Sequence, residues 1–186
     1  MTAALELVGL RVDFGGAPVV SGVSLSVERG ECVAIVGESG AGKTLTARAL
    51  LGLAPQGAHV AFDRLVVDGT DAARLGERGW RALRGARIGL VSQDALVSLD
   101  PLQRVGSEIA EPLRLHGLAT GRAALREKVQ DLLHRVWMPD AARRARQYPH
   151  QLSGGLRQRA LIASAIAAEP AAVSYTHLTL PTIYSV

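Results

Sequence analysis

The sequence predicts an α/β fold: a parallel core sheet, an antiparallel strand-rich lobe before it and a helical lobe inserted after it. Three observations carry that expectation. The run CVAIV, residues 32–36, is continuously apolar and leads through GESGAGKT into a helical pattern. A second apolar run lies in RIGLVSQ, residues 87–93. Short runs of this kind suit strands covered on both faces, as in a parallel sheet. From Val105 onward the periodicity is helical instead, with Leu125, Val129, Leu132, Leu133 and Val136 on one face and Lys128 and Arg135 outside it.

The elements follow in order. Residues 5–14 and 19–27 have strand character, with Gly15 and Gly16 as the turn between them. GVSLSVERGE alternates apolar and polar residues, as a half-buried antiparallel strand should. TARALLGLA, after the glycine-rich stretch, reads as a helix, and AFDRLVVDG, residues 61–69, as one strand. A short helix is expected over residues 78–84, a helical lobe over about residues 94–150, and a further helix over about residues 155–168. There is no internal repeat and no low-complexity linker.

With 186 residues, 48% hydrophobic and 20% charged, the chain has the length and composition of one globular domain. The net charge of +4 raises the question of nucleic acid. The arginines are scattered in sequence (Arg11, Arg29, Arg48, Arg64, Arg74), apart from Arg143, Arg144 and Arg146, which is the pattern of a solvated face. Nucleic acid is therefore not expected as a partner. The single cysteine, Cys32, excludes an internal disulfide and reads as a buried strand residue. No run of 18 apolar residues exists, so no membrane-spanning helix is expected. The first residues, MTAALELVGL, lack the basic start of a signal peptide.

The segment GESGAGKT, residues 37–44, fits the pattern G-x-x-x-x-G-K-[ST]. Its chemistry suits a polyphosphate. Gly37, Gly40 and Gly42 permit a loop whose N–H groups point inward, with Glu38, Ser39 and Ala41 contributing main chain between them. Lys43 supplies a point charge for the outer phosphates, and Thr44 a hydroxyl for the Mg²⁺ that accompanies them. The position after an apolar run and before a helix is the context that gives the pattern its meaning. ATP and Mg²⁺ are the expected cofactors.

A second anion-binding signal is LSGGLRQRA, residues 152–160. Ser153 can cap the helix that follows, and Gly154 and Gly155 leave the first N–H groups accessible. Alone, this is a cap and a turn. Together with the first motif, LSGGLRQ resembles the signature sequence of ATP-binding cassette (ABC) proteins, and GESGAGKT resembles their phosphate loop. The resemblance spans about residues 4–172. It implies that Leu152, Ser153, Gly154, Gly155 and Gln158 serve an ATP held by a partner subunit in a head-to-tail dimer. It implies that Gln93, in VSQD, contacts Mg²⁺ and the attacking water and reports nucleotide state to membrane subunits. It also implies that Phe14 stacks on adenine, against the alternative that Phe14 fills the strand-rich lobe. The blocks VSQDALVSLDP, VGSEIAEPLRLHG and YPHQLSGG are similar to the ATP-binding subunits of dipeptide, oligopeptide and nickel importers. That resemblance implies a second ATPase subunit, identical or related, two transmembrane permease subunits, indirectly a solute-binding protein, and a peripheral place on the cytoplasmic face of the plasma membrane. A soluble cassette ATPase acting on nucleic acid or ribosomes stays open as an alternative.

The family pattern continues with an apolar strand ending in Asp and then Glu, the metal-binding residue and the catalytic base. Here AIAAEP resembles the approach to that strand, but no Asp or Glu follows Glu169, and the base is absent. Glu169 precedes the strand and is not read as a base, and His177 lacks the setting of a switch histidine. The last residues, VSYTHLTLPTIYSV, contain no Asp, Glu, Lys, Arg, Gly or Ala. SYTHLTLPT resembles a translated transposon-end adaptor from sequencing libraries. The expectation is thus a nucleotide-binding domain over residues 1–172, incomplete at its C-terminus, and a non-native tail over residues 173–186. A chain so composed binds nucleotide and barely hydrolyses it.

Overall fold

The computed structural model describes residues 3–92 and 95–175. The N-terminal part is an antiparallel sheet. Strand β1, Leu5–Phe14, pairs with β2, Ala17–Val27, through a hairpin. On its other edge β1 holds β3, Ala58–Ala61, and β4, Arg64–Val67, and β4 pairs with the short β5, Thr70–Asp71. Gly9 interrupts the regular alternation of β1. Its φ is +62°, and a Cβ there would lie 1.9 Å from Asp63 Oδ2, so only glycine fits this bulge. Asp63 sits opposite, its N–H donating to Val8 O at 3.0 Å and its carboxylate paired with Arg11. That pairing holds the Asp63 carboxyl below the usual carboxylate range. The single strand expected over residues 61–69 is therefore two strands, broken where the bulge of β1 needs a partner.

Helix α1, Lys43–Ala49, packs beneath this sheet, and helix α2, Glu77–Leu83, packs beside α1. Leu5, Leu7, Leu10, Val12, Leu51, Leu65 and Trp80 belong to one buried cluster. A second cluster is built by the helical lobe: α3 (Ala95–Ser98), α4 (Val105–Leu115), α5 (Arg122–Arg135), α6 (Ala141–Arg144) and α7 (Gly154–Ala165). The apolar stripe of α5 buries Val129, Leu132 and Leu133 there. Asp100 and Glu108 join the SLDP block to α4: the Asp100 N–H donates to Glu108 Oε1 at 3.0 Å, and burial raises the Glu108 carboxyl pKa.

Strand β6, Ile88–Val91, joins the clusters, with Ile88 in the first and Val91 in the second. It pairs in parallel with β7, Ala172–Tyr175. Of the tail set apart in the sequence, Val173, Ser174 and Tyr175 thus lie in a strand, and residues 176–186, His177 among them, lie outside the described residues.

One expected strand is corrected. Residues 32–36 belong to no strand, and Cys32 is exposed, not buried. Val36 is 87% exposed and Ile35 41%. Among the described residues, none of their peptide groups has a backbone hydrogen-bond partner. The physical reason is spacing. A cavity of about 670 Å³, lined on one side by residues 32–36 and on the other by residues 171–175, separates this segment from β7. Strands must lie about 4.8 Å apart to pair, and the cavity between these two segments keeps them from doing so.

Candidate nucleotide site

Residues 37–42 loop over the start of α1. Gly40 and Gly42 have φ of +86° and +82°, the left-handed region that other residues avoid. At Gly42 space is also decisive, because a Cβ would come within 2.8 Å of Val20 Cγ2. The hairpin of the antiparallel sheet therefore rests directly on the loop. The Ala41 N–H donates to Glu38 O at 3.2 Å and closes the turn. The Lys43 ammonium donates to Gly37 O at 2.8 Å and to Glu38 O at 2.6 Å, which holds the charge across the loop. Glu38, Ser39, Gly40, Ala41 and Thr44 are exposed. Open main chain, a tethered ammonium and an exposed hydroxyl suit a polyphosphate with its counter-ion.

Phe14 closes β1, opposite Ala17 on β2 and Ala58 on β3. It is 37% exposed. Val12, two residues back in β1, pairs with Val20, the residue that touches Gly42.

The second motif is built differently. Ser153 caps α7, accepting from the Leu156 N–H at 3.4 Å. Leu152 is buried in the helical cluster, while Ser153, Gly154 and Gly155 are exposed, and a Cβ on either glycine would meet nothing within 4 Å. The Arg157 guanidinium donates to Pro149 O at 2.8 Å and fixes the turn before the helix. Gln158 turns inward, its side-chain amide donating to the Tyr175 hydroxyl. The two motifs stand on separate buried clusters: α1 on the strand-rich one, α7 on the helical one. Gln93 lies outside the described residues.

Three supports of the loop carry no motif. Arg84 donates to Leu51 O and Gly52 O, both at 2.8 Å, and to Glu77 at 2.9 Å, so it clamps the end of α1. Trp80 packs so close to Gly52 that a Cβ there would lie 2.6 Å from the ring. Val20 fits against Gly42. Only the glycines signal these contacts in the sequence.

Among the described residues, no group of three or more His, Cys, Asp or Glu could hold a metal ion, and no helix is long and apolar enough to cross a membrane. A Mg²⁺ arriving with phosphates needs only one or two protein ligands, so the loop still fits it.

Residues 20–173 match the family model described as ABC transporter. The chain is 41% identical over 170 residues to a dipeptide transport ATP-binding protein of Lactococcus lactis, covering 89% of this chain and 49% of that protein. It is 41% identical over 172 residues to the Escherichia coli dipeptide transport ATP-binding protein, covering 90% and 52%. To an oligopeptide transport ATP-binding protein of Mycobacterium tuberculosis it is 42% identical over 174 residues, covering 91% and 28%. The chain thus spans about half, or less, of the length of these curated relatives. Among solved structures, a post-hydrolysis dimer of the ATP-binding cassette MJ0796 bound to ADP and Pi superposes with a TM-score of 0.77 at 25% identity, covering 92% of this chain and 72% of that one. A glycine-rich loop before α1, a serine-capped glycine pair and the shared fold lead to one conclusion: the chain belongs to the ABC transporter family.

Proposed function

We propose that this chain is the nucleotide-binding part of an ATPase subunit that energises import of peptides or similar solutes through a membrane permease. The observation that carries the reading is the pairing of an open phosphate loop with a serine-capped glycine pair on a separate buried cluster. Two half-sites so arranged suit a head-to-tail dimer with a second ATPase subunit. Two transmembrane permease subunits and, indirectly, a solute-binding protein complete the assembly, and the chain sits on its cytoplasmic side. The relatives named for dipeptide and oligopeptide transport support the solute class.

In this reading the main chain of Gly37, Glu38, Ser39, Gly40, Ala41 and Gly42 binds phosphate, Lys43 neutralises its outer charge, and Thr44 with Gln93 holds Mg²⁺. Bound Mg²⁺ supplies charge neutralisation on the phosphates. Phe14 stacks on the base. Ser153, Gly154 and Gly155 face the partner's nucleotide, and Leu152 and Gln158 hold α7 for them.

Residues 170–186 hold no Asp or Glu. Metal-binding acids and general bases contribute about 10²–10⁴-fold or more to turnover. A binding module without turnover is the second reading that this composition favours. Titration with a fluorescent ATP analogue and Mg²⁺ tests both. The expected result is saturable binding, weakened at least tenfold by Lys43→Ala, with negligible phosphate release. Wild-type affinity in Lys43→Ala would sink the nucleotide site. Robust turnover abolished by Lys43→Ala would sink the second reading.

A further inference from the structure

The turn between β4 and β5 is two residues long, Asp68 and Gly69, with Val67 paired to Thr70 across it. Both turn residues have positive φ, +47° and +77°, the conformation of a tight hairpin in which Asn-Gly serves as well as Asp-Gly. The turn therefore explains the backbone of Asp68 but not its charge. The carboxylate reaches out of the hairpin to two arginines from other parts of the chain: Oδ1 accepts from Arg29 and Oδ2 from Arg87. Its side chain is 13% exposed, against 34–77% for every other ion-paired carboxylate among the described residues. Exposed pairs contribute little, whereas a sheltered carboxylate shared by two guanidiniums is costly to leave unpaired.

The two arginines stand at the roots of the two walls of the cavity of about 670 Å³. Arg29 belongs to the turn that follows β2. That turn is closed on itself, the Glu28 N–H donating to Glu31 Oε2 at 2.7 Å and the Glu31 N–H to Glu28 O at 3.1 Å. It passes directly into residues 32–36, and these into the glycine-rich loop. Arg87 precedes β6. Its N–H donates to Leu83 O at 2.8 Å and its carbonyl accepts from the Ala172 N–H at 3.3 Å, so it ties the end of α2 to the start of β7. Asp68 is itself fixed to the sheet, its N–H donating to Ala4 O at 2.9 Å, while the Ala4 N–H donates to Val27 O at 2.8 Å. One carboxylate on the antiparallel sheet thus holds both walls.

We infer that Asp68 is a positioning residue for the nucleotide site: through Arg29 it sets where residues 32–36 deliver the glycine-rich loop, and through Arg87 it fixes the opposite wall to the same sheet. The inference rests on the nucleotide reading proposed above. The Arg29 arm is the one that bound nucleotide feels. Among the described residues the peptide groups of residues 32–36 have no backbone partners, so the turn at Arg29 orients their start. β6, by contrast, is already held by β7 and by the burial of Ile88 and Val91. Without the Arg29 arm the loop samples more positions, and ordering them on binding lowers affinity. Without the Arg87 arm the fold loosens but the loop stays where it is.

The test is titration of the 186-residue chain with the fluorescent ATP analogue and Mg²⁺, beside thermal unfolding of each variant. Asp68→Asn keeps the turn and removes the charge. It should lower the unfolding midpoint and weaken binding about three- to tenfold, a fraction of what one charge-assisted hydrogen bond is worth. Arg29→Gln should weaken binding to the same extent with a smaller shift of the midpoint. Arg87→Gln should lower the midpoint and change affinity by less than about twofold. Arg29→Gln added to Asp68→Asn should cost no further affinity, because both variants break the same pair. Glu6→Gln breaks another ion pair of the same sheet, with Arg64, and touches neither wall, so its affinity should stay at the wild-type level whatever its midpoint. Wild-type affinity in both Asp68→Asn and Arg29→Gln would overturn the proposal and leave the nucleotide reading intact. So would losses that add in the double variant, or a loss that Glu6→Gln reproduces, since either would mark a general loosening of the fold. Absence of binding by the wild-type chain would instead overturn the nucleotide reading, and this proposal with it.

Discussion

Residues 32–36 and strand β6 read almost alike and end differently. Both are short apolar runs that suit the centre of a parallel sheet. β6 has β7 beside it and buries Ile88 to 1% exposure, whereas a cavity lies between residues 32–36 and β7 and Ile35 is 41% exposed. The same kind of sequence thus gives a strand in one place and a segment without ladder partners in the other. What differs is the neighbour. A helix satisfies its peptide groups within itself, but a parallel strand depends on residues far away in the chain.

Truncation is the sharpest way to break this contrast. Ile88→Ala removes a fully buried side chain and should cost about 2–5 kcal/mol in urea unfolding. Ile35→Ala, on the open side of the cavity, should cost no more than about 0.5 kcal/mol, the usual range for exposed positions. Equal losses from the two variants would mean that residues 32–36 are packed as tightly as β6.

A smaller effect comes from adding an atom. A Cβ on Gly89 would lie 2.6 Å from Ala165 O, the last residue of α7. Gly89→Ala should therefore push α7 off β6 and cost about 1–3 kcal/mol. Thermal unfolding reads it out. A neutral result would show that β6 and α7 are not in close contact.

Smaller again is Arg84→Gln. With no ladder holding residues 32–36, the glycine-rich loop is anchored from behind, through Val20 on Gly42 and Arg84 on the end of α1. Hydrogen bonds from a charged group are worth about 1.5–3 kcal/mol each at best, and this side chain is 21% exposed, so about 1–2 kcal/mol is expected in total. Nucleotide affinity should fall with it, several-fold, although Arg84 touches no phosphate in the proposed site. Unchanged affinity would mean that the strand-rich hairpin alone positions the loop.

These cases also explain what the sequence made legible. Local chemistry came through: the glycines and Lys43 of the loop, the Ser153 cap, and the apolar stripe of α5 are set by residues a few positions apart. Long-range pairing did not. The break of residues 61–69 depends on the bulge at Gly9, distant in the chain but adjacent in the sheet, and no periodicity within residues 61–69 encodes it. The pocket between α4, α5 and α6 was hidden for the same reason, since Arg104, Arg114, Arg122, Arg126 and Arg146 around it are far apart in the chain and meet only through helix packing. The site was thus readable as motifs, while the surfaces that hold and surround it required the fold.

The smallest perturbation asks about residues 32–36 without altering their packing. Cys32 is the only cysteine and it is exposed, so a thiol reagent reports on this segment alone. Native protein should react within about threefold of the rate in urea, because no opening of the fold is needed to reach the sulfur. A thiol in a strand paired as β6 is would be protected by orders of magnitude, since reaction would wait for unfolding. Slow labelling would therefore place residues 32–36 inside a formed sheet and erase the difference from β6. Fast labelling that slows on addition of the ATP analogue and Mg²⁺ would carry the comparison further. It would show that nucleotide at Lys43 orders the segment leading into the loop, and that this unpaired stretch stays open only until phosphate fixes its far end.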